Sequence, residues 1–303
     1  MRIGSLFTGA GGLDMAVEQV TGATPAWFVE FDPNPSKVLA RHWPDVPNFG
    51  DVTAVNWAQV DPVDILTAGY PCQPFSHAGK RKGSTDDRHL WPYVADAIGA
   101  LRPRLVVLEN VAGHLSLGGS AVVGDLARLG FDARWGVVRA SDAGAAHQRK
   151  RLFVVAADSR CGPFPWPTAA GHGLPVAAER GNGAVALLPT TCATDGTKGG
   201  PNQRGSSGDL MLPSAVQAER FGAYQAAVGR WAAVIGRPAP DPTVPGKNGP
   251  RLSARFCEWL MGWPDGWVTD TDGISHTAAL KIAGNGVVPQ QAALALDLLG
   301  VQP

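Results

Sequence analysis

The chain lacks the features that would place it in several special classes of protein. Its four cysteines (Cys72, Cys161, Cys192 and Cys257) are scattered along 303 residues, with no Cys-x-x-Cys pair. That spacing argues against a zinc site and against a disulfide framework, and it fits a reducing compartment. No apolar run approaches the ~20 residues that a membrane-spanning helix needs. Met1-Arg2-Ile3 leads directly into an apolar stretch, so no signal peptide is expected. There is no excess charge of either sign: 26 basic residues balance 26 acidic ones. A polycation that coats nucleic acid is thereby excluded, whereas an enzyme with a local basic cleft is not. No internal repeat is present.

Glycine and proline are abundant, at 38 and 25 residues, which points to many loop connections. An apolar content of 45% is enough for a sizeable core, and the length suits one large domain or a domain carrying an insertion. The first half alternates short apolar runs with amphipathic stretches. Residues 3–7, 26–30, 64–68 and 105–108 read as strands. Residues 13–20, 35–42, 93–101 and 122–129 read as helices, and 134–138 with 152–156 as a strand pair. Repeated strand–helix units imply an α/β fold with a mostly parallel sheet and helices on both faces. The pattern lapses after about residue 159. The stretch 161–250 is rich in Gly, Pro, Ser and Thr, with one helix expected around 215–234. Regular patterning returns at Leu252, through a Trp-rich stretch to Val268 and a last helix after Pro289. Three segments follow: 1–159 and 251–303 as one α/β domain, and 160–250 as an insertion.

Several chemistry-bearing residues fall at strand ends. SLFTGAGGLDMA places Gly9, Gly11 and Gly12 between a strand and a helix, where the backbone can pass close to a ligand. Glu30 ends the next strand, a position from which a carboxylate can bind ribose hydroxyls. Asp51, in FGDVT, is placed to reach an adenine amino group. Taken together these suggest a nucleoside cofactor at the carboxyl ends of parallel strands. DILTAGYPCQPFSHAGKRKG then carries a strand into Pro71-Cys72-Gln73 and a basic loop. A cysteine at such a junction, near positive charge, is favoured as a thiolate. RLVVLENV puts Glu109 at a further strand end, and HQRKR sets His147, Arg149 and Arg151 at alternate positions, on one face if the segment is extended. Individually each has an ordinary meaning: a structural turn, a buried small thiol, a surface acid, a solvated charge run.

As a collinear set these motifs resemble the C5-cytosine DNA methyltransferase family, over nearly the whole chain outside the middle stretch. FTGAGG resembles its cofactor turn, GYPCQPFS with GKRKG and Asp87-Arg88 its catalytic loop, and LENV its glutamate motif. HQRKR resembles its Gln-x-Arg-x-Arg motif, and RLSARFCEWLMGWPDGW and LKIAGNGVVPQQAALAL its closing segments. Two positions depart from it: His147 stands in place of Gln, and Gly286 where many relatives have Ser after Asn285.

The resemblance implies a Rossmann-like methyltransferase sheet with a small inserted target-recognition domain. It implies S-adenosylmethionine as cofactor, held by Phe7, Gly9, Gly11, Gly12, Leu13, Glu30, Phe31, Asp51, Val52, Pro71 and Asn285. Cys72 would add to C6 of a cytosine flipped out of the duplex, because C5 alone is a poor nucleophile. Glu109 would hold a proton at N3, Arg151 would bind O2, and Arg149 would support the surrounding backbone. Gln73, Ser76, Lys80, Lys82 and Arg88 would close over double-stranded DNA. Thr194, Lys198 and Arg204, and Asp195 with them, would meet flanking bases or phosphates. A monomer acting in the cytoplasm, away from membranes, is implied too, and a cognate restriction endonuclease could be its counterpart in function alone. The competing readings are an RNA cytosine-5 enzyme, a silent cofactor- and DNA-binding protein, and a nicotinamide oxidoreductase. Intact Cys72, Glu109, Arg149 and Arg151 argue against the second, and Pro-Cys-Gln with Glu-Asn-Val against the third.

Overall fold

The computed structural model describes residues 1–71, 90–162, 185–197, 202–205, 208, 210–218, 221–247 and 249–301. Its central sheet is built from β1 (Arg2–Leu6), β2 (Thr24–Val29), β3 (Ile65–Ala68), β4 (Leu105–Val111), β5 (Phe131–Arg139) and β6 (Lys150–Asp158). Strand order is β2-β1-β3-β4-β6-β5. The first three pairings are parallel, and β6 runs antiparallel to both β4 and β5. Helices α1 (Gly12–Thr21), α2 (Pro33–His42), α3 (Trp91–Leu101) and α4 (Gly119–Arg128) alternate with the strands. Strand β3 and all of β4 except Val111 are buried, as expected of strands covered on both faces. Within β1, Gly4 is dictated by packing: a Cβ there would lie 2.1 Å from the Trp27 ring of β2.

Register decides where the chemistry can be. Leu6 pairs with Ala68, and Ala68 with Leu108, so β1, β3 and β4 reach the same edge of the sheet together. The chain leaves β1 toward β2 on one side and meets β3 on the other. That reversal opens a crevice at the carboxyl ends of the strands, where open α/β sheets bind ligands. Because β6 is antiparallel, Arg151 at its start pairs with Val111 at the end of β4, on the same edge.

Downstream lie α5 (Leu212–Ala218), α6 (Gln225–Ile235), a small antiparallel pair β7 (Thr243–Val244) and β8 (Arg251–Leu252), then α7 (Ala254–Leu260), α8 (His276–Asn285) and α9 (Pro289–Leu298). The single helix expected around 215–234 is thus two, interrupted near Gly222, which has a positive φ of 39°. Strand β4 also runs three residues beyond the expected 105–108, because pairing with β6 continues to Arg151. Helix α8 was not anticipated. It is capped by the Ser275 side chain, which accepts from the Ala278 N–H. Its Gly284 lies so close to the backbone of Cys192–Ala193 that a Cβ would come within 2.1 Å, a packing signal no local periodicity carries.

One hydrophobic cluster joins Leu188, Leu212, Val228 and Trp231 of the middle stretch to Phe256, Trp259, Trp263 and Leu280 of the C-terminal stretch. Helix α9 returns to the sheet, where Ala292, Ala295 and Leu296 pack with Leu13, Ala16 and Val17 of α1. No helix among the described residues is long and apolar enough to cross a membrane.

Candidate active site

The turn after β1 is held in an unusual conformation. Phe7, Gly9 and Gly11 have φ of 53°, 58° and 82°. Only glycine adopts such values without steric cost, and nothing fills the space beside Gly9. Glu30 reaches back from the end of β2: Gly9 N–H donates to its Oε2 and Asp32 N–H to its Oε1, each at 2.8 Å. Burial raises the Glu30 pKa, and these two N–H bonds counter part of the effect. Asn48, unnoticed in the sequence, accepts from the Glu30 and Gly50 N–H groups and donates to the Glu30 carbonyl. It thereby brings the Asp51 segment alongside β2. The Asp51 carboxylate accepts from the N–H and hydroxyl of Thr53, starting a short turn at Val52–Ala54. Phe31 is 77% exposed beside Glu30, whereas Leu13 and Val52 are buried in the core and have only backbone to offer a ligand. An open glycine turn, a carboxylate at its rim and a free aromatic face fit a nucleoside carrying an amino-acid tail.

The closing segment comes to the same turn. A Cβ on Gly12 would meet the Val287 carbonyl at 2.3 Å, so Gly12 is required by this contact and Asn285 is brought near it, exposed at the end of α8. The Gly286 departure has a physical cause: a Cβ there would lie 2.4 Å from the buried Trp263 ring. The His147 departure also keeps a function for its side chain. Burial, with Arg149 nearby, lowers its pKa to about 3, so the ring is neutral and Nε2–H donates to the Leu260 carbonyl at 3.0 Å.

At the adjoining strand ends, Arg151 Nε meets Glu109 Oε1 at 2.9 Å. Glu109 is 8% exposed, and burial raises its pKa despite the attraction of Arg151 and Arg149. Asn110 Nδ2 donates to the Tyr70 carbonyl at 3.1 Å, and the Tyr70 hydroxyl contacts His114 Nε2 at 2.9 Å. The chain segment entering Pro71 is thus tied to β4. Gly69 marks where the three strand ends converge: a Cβ there would be in ordinary contact with Glu109 Oε2 at 3.8 Å and the Phe7 carbonyl at 3.6 Å.

Arg149 differs from the sequence expectation in geometry. Its φ of 35° interrupts the alternation that an extended HQRKR would have, and β6 starts only at Lys150. The charge run is not solvated either: His147 and Arg149 are buried. The Arg149 guanidinium donates to the carbonyls of Thr191 (3.2 Å), Gly284 (3.0 Å) and Gly286 (2.6 Å). Burial first, then Arg151, lowers its pKa to about 9. In the middle stretch Thr194 and Arg204 are exposed, with Arg204 donating to the Gly208 carbonyl. Asp195 does not face outward with them. It is 5% exposed and accepts from the Cys192 N–H, closing its own turn against α8. Cys72, Gln73, Ser76, Lys80, Lys82, Arg88 and Lys198 lie outside the described residues.

Beneath the glycine turn sits a buried acid that the sequence pattern does not single out. Asp14 accepts from Ser5 Oγ at 3.0 Å and Thr67 Oγ1 at 2.7 Å, bracing α1 on β1 and β3. Burial raises its pKa from 3.8 to about 6, and Glu18 one turn along is raised to about 7 by burial and by Asp14. The folded state therefore holds the Asp14 proton more tightly than the unfolded chain does. Stability from this group is full below pH 3.8 and is lost as pH rises through about 6, at a cost on the order of 3 kcal/mol. Asp14→Asn keeps the shape and can still bond both hydroxyls. It is expected to stabilise the protein at pH 8 and to gain much less at pH 5 in urea unfolding. A gain equal at both pH values, or a loss at pH 8, would refute this account.

Comparisons with known proteins agree with this arrangement. Residues 1–170 match the family model for C-5 cytosine-specific DNA methylase. The type II methyltransferase M.NaeI of Lentzea aerocolonigenes is 28% identical over 310 residues, covering 95% of this chain and 72% of that protein. M.NgoMIV of Neisseria gonorrhoeae is 26% identical over 284 residues, covering 86% and 85%. In fold, the chain is similar to S. pombe Dnmt2 methyltransferase (TM-score 0.60, 14% identity, 99% of both chains). It is also similar to the Entamoeba histolytica methyltransferase EhMeth (TM-score 0.60, 15% identity, 99% and 97%). With the glycine turn, the Glu109–Arg151 pair and the chain leaving β3 toward Pro71 all at one sheet edge, the chain belongs to the C-5 cytosine-specific DNA methylase family and is an S-adenosylmethionine-dependent DNA (cytosine-5)-methyltransferase.

Proposed function

We propose that Cys72, Glu109 and Arg151 together activate a cytosine flipped out of a specific duplex sequence. The Cys72 thiolate adds to C6, and the electron pair of the C5–C6 double bond makes C5 nucleophilic. Glu109 gives or shares a proton at N3 as negative charge builds on the ring, and Arg151 binds O2 and orients Glu109. S-adenosylmethionine bound beside the glycine turn and Glu30 would supply the electrophilic methyl group for C5 and would depart as the neutral thioether. A base then takes the C5 proton, the N3 proton returns to Glu109, and the C6–S bond breaks to return Cys72 as thiolate. The observation that carries this reading is the Glu109–Arg151 pair, 2.9 Å apart beside the glycine turn, with Glu109 buried. Arg149 acts by holding Thr191, Gly284 and Gly286 in place.

In this reading, residues 1–159 and 251–303 form the catalytic and cofactor-binding domain, and 160–250 the target-recognition region. Phe7, Gly9, Gly11, Gly12, Glu30, Phe31, Asp51, Pro71 and Asn285 line the cofactor cleft, with Leu13 and Val52 contributing backbone. Gln73, Ser76, Lys80, Lys82 and Arg88 grip the DNA from the catalytic loop. Thr194, Lys198 and Arg204 contact the flanks, where phosphate contacts add salt dependence and base contacts choose sequence. The enzyme works as a monomer in the cytoplasm. The type II relatives support a role opposite a cognate restriction endonuclease.

The test is bisulfite sequencing of DNA from an unmethylated host expressing the protein. Protected cytosines should fall in one sequence context. Alanine substitution at Thr194, Lys198 and Arg204 should relax that context or lower its occupancy. Uniform conversion of all cytosines would overturn the activity, and an unchanged pattern in all three variants would remove this segment from recognition.

A further inference from the structure

The glycine turn carries three left-handed residues within five positions, one of them Phe7, and such a segment keeps its shape only where its surroundings hold it. Glu30 provides one tie, at Gly9 N–H. The second comes from far along the chain. Trp267 Nε1–H donates to the Ala10 carbonyl at 2.9 Å. The Trp267 ring is itself fixed from two directions. His42, at the end of α2, stacks on it with ring centroids 3.5 Å apart and planes 3° from parallel. The same His42 ring bonds the Trp267 carbonyl through Nε2 at 2.8 Å. From the C-terminal side, the buried Glu258 carboxylate accepts from the N–H groups of Gly266, Val268 and Thr269, clamping the backbone around Trp267. Trp43 completes the support: it meets Trp267 edge-on, and a Cβ on Gly11 would touch its ring at 2.6 Å.

We infer that Trp267 is a positioning residue for the cofactor: its indole N–H, held by the His42 stack and the Glu258-bound loop, anchors the Ala10 carbonyl and keeps the glycine turn in its binding-competent shape. It acts through Ala10 and touches neither the base nor the methyl donor. The inference rests on the cofactor assignment and adds to it a residue 257 positions from the turn. It also gives Trp267 of the Trp-rich segment a role that the catalytic chemistry does not use.

The test compares two indole N–H groups. Trp267→Phe keeps an aromatic ring for the stack and removes the donor to Ala10. Trp231→Phe removes another indole donor, to the Trp259 carbonyl, within the cluster that joins the middle and C-terminal stretches. Binding of S-adenosylhomocysteine to the full-length chain is measured by calorimetry, with thermal melting alongside. Trp267→Phe should weaken binding about tenfold, or roughly 1.4 kcal/mol. In turnover assays it should raise the KM for S-adenosylmethionine and leave kcat at saturation unchanged. Trp231→Phe should lower the melting temperature without changing the Kd. Equal Kd values for Trp267→Phe and the wild type would overturn the inference, as would equal weakening by both variants. If Trp267→Phe does not fold, His42→Gln decides: it removes the stacked ring and leaves the indole in place. A two- to threefold weakening then supports the proposal and an unchanged Kd overturns it. Failure of the wild type itself to bind S-adenosylhomocysteine would strike the cofactor assignment, an outcome separate from all of these.

Discussion

Cys72→Ala is expected to reduce methyl transfer to background while leaving the fold and cofactor affinity close to those of the wild type. Among the described residues, no group at the sheet edge can take over its part. Glu109 and Arg151 are engaged with each other, and Arg149 is bonded to three carbonyls. Without addition at C6, C5 does not become nucleophilic, so the loss is one of chemistry and not of binding. The cofactor contacts assigned to the glycine turn and Glu30 do not involve the thiol. Two assays check this. Incorporation of labelled methyl groups should vanish in the variant. Duplex DNA carrying 5-fluorocytosine at the target should form a denaturation-resistant adduct with the wild type in the presence of cofactor, because fluorine does not leave as a proton. Cys72→Ala should form none. Wild-type incorporation by the variant would end the covalent mechanism.

Glu109→Gln should slow the methylation step by roughly 10²–10⁴-fold, the range for losing a positioned general acid. The amide matches the carboxyl in shape and can still accept from Arg151 Nε, but it cannot deliver a proton to N3. Burial raises the Glu109 pKa, which favours the protonated form this role needs. Since the acid form is the active one, the wild-type rate should fall as pH rises through that raised pKa. Single-turnover rates on a target duplex, measured across pH, give both results at once: a lower plateau for Glu109→Gln and the disappearance of this basic limb. A variant with wild-type rate, or one that keeps the same limb, would show that Glu109 carries no proton.

The strand ends were readable because their signals are local. Four apolar residues before Glu109, glycines after Leu6 and the Pro-Cys-Gln step each lie within one short segment, and their order along the chain matched a family. Strand pairing then needed nothing beyond hydrophobic burial and short connections to bring Glu109 and the glycine turn to one edge. The errors lie where a residue's role depends on something remote. Asp195 looked like an outward polar group, yet its own turn and α8 enclose it. Alternation in HQRKR suggests an extended segment, yet Arg149 has a φ of 35° and bonds three carbonyls of distant segments. Helix α8 was hidden because Gly284 marks a close backbone approach, which resembles a helix breaker when only neighbours in sequence are considered.

The sequence by itself thus determined the alternating α/β order, the glycine turn, the acids at strand ends and the family to which they point. The first three follow from periodicity and residue type over a few positions, and the family from the resemblance of the motifs in their order along the chain. Tertiary structure alone decided that Glu109 is paired with Arg151, that Asn48 fixes Glu30, that Asp14 is a buried acid beneath the turn, and that Trp267 reaches Ala10. Each is a bond between side chains or backbone groups of separate segments. Its existence depends on sheet register and helix packing, and neither leaves a trace in the local pattern of residues.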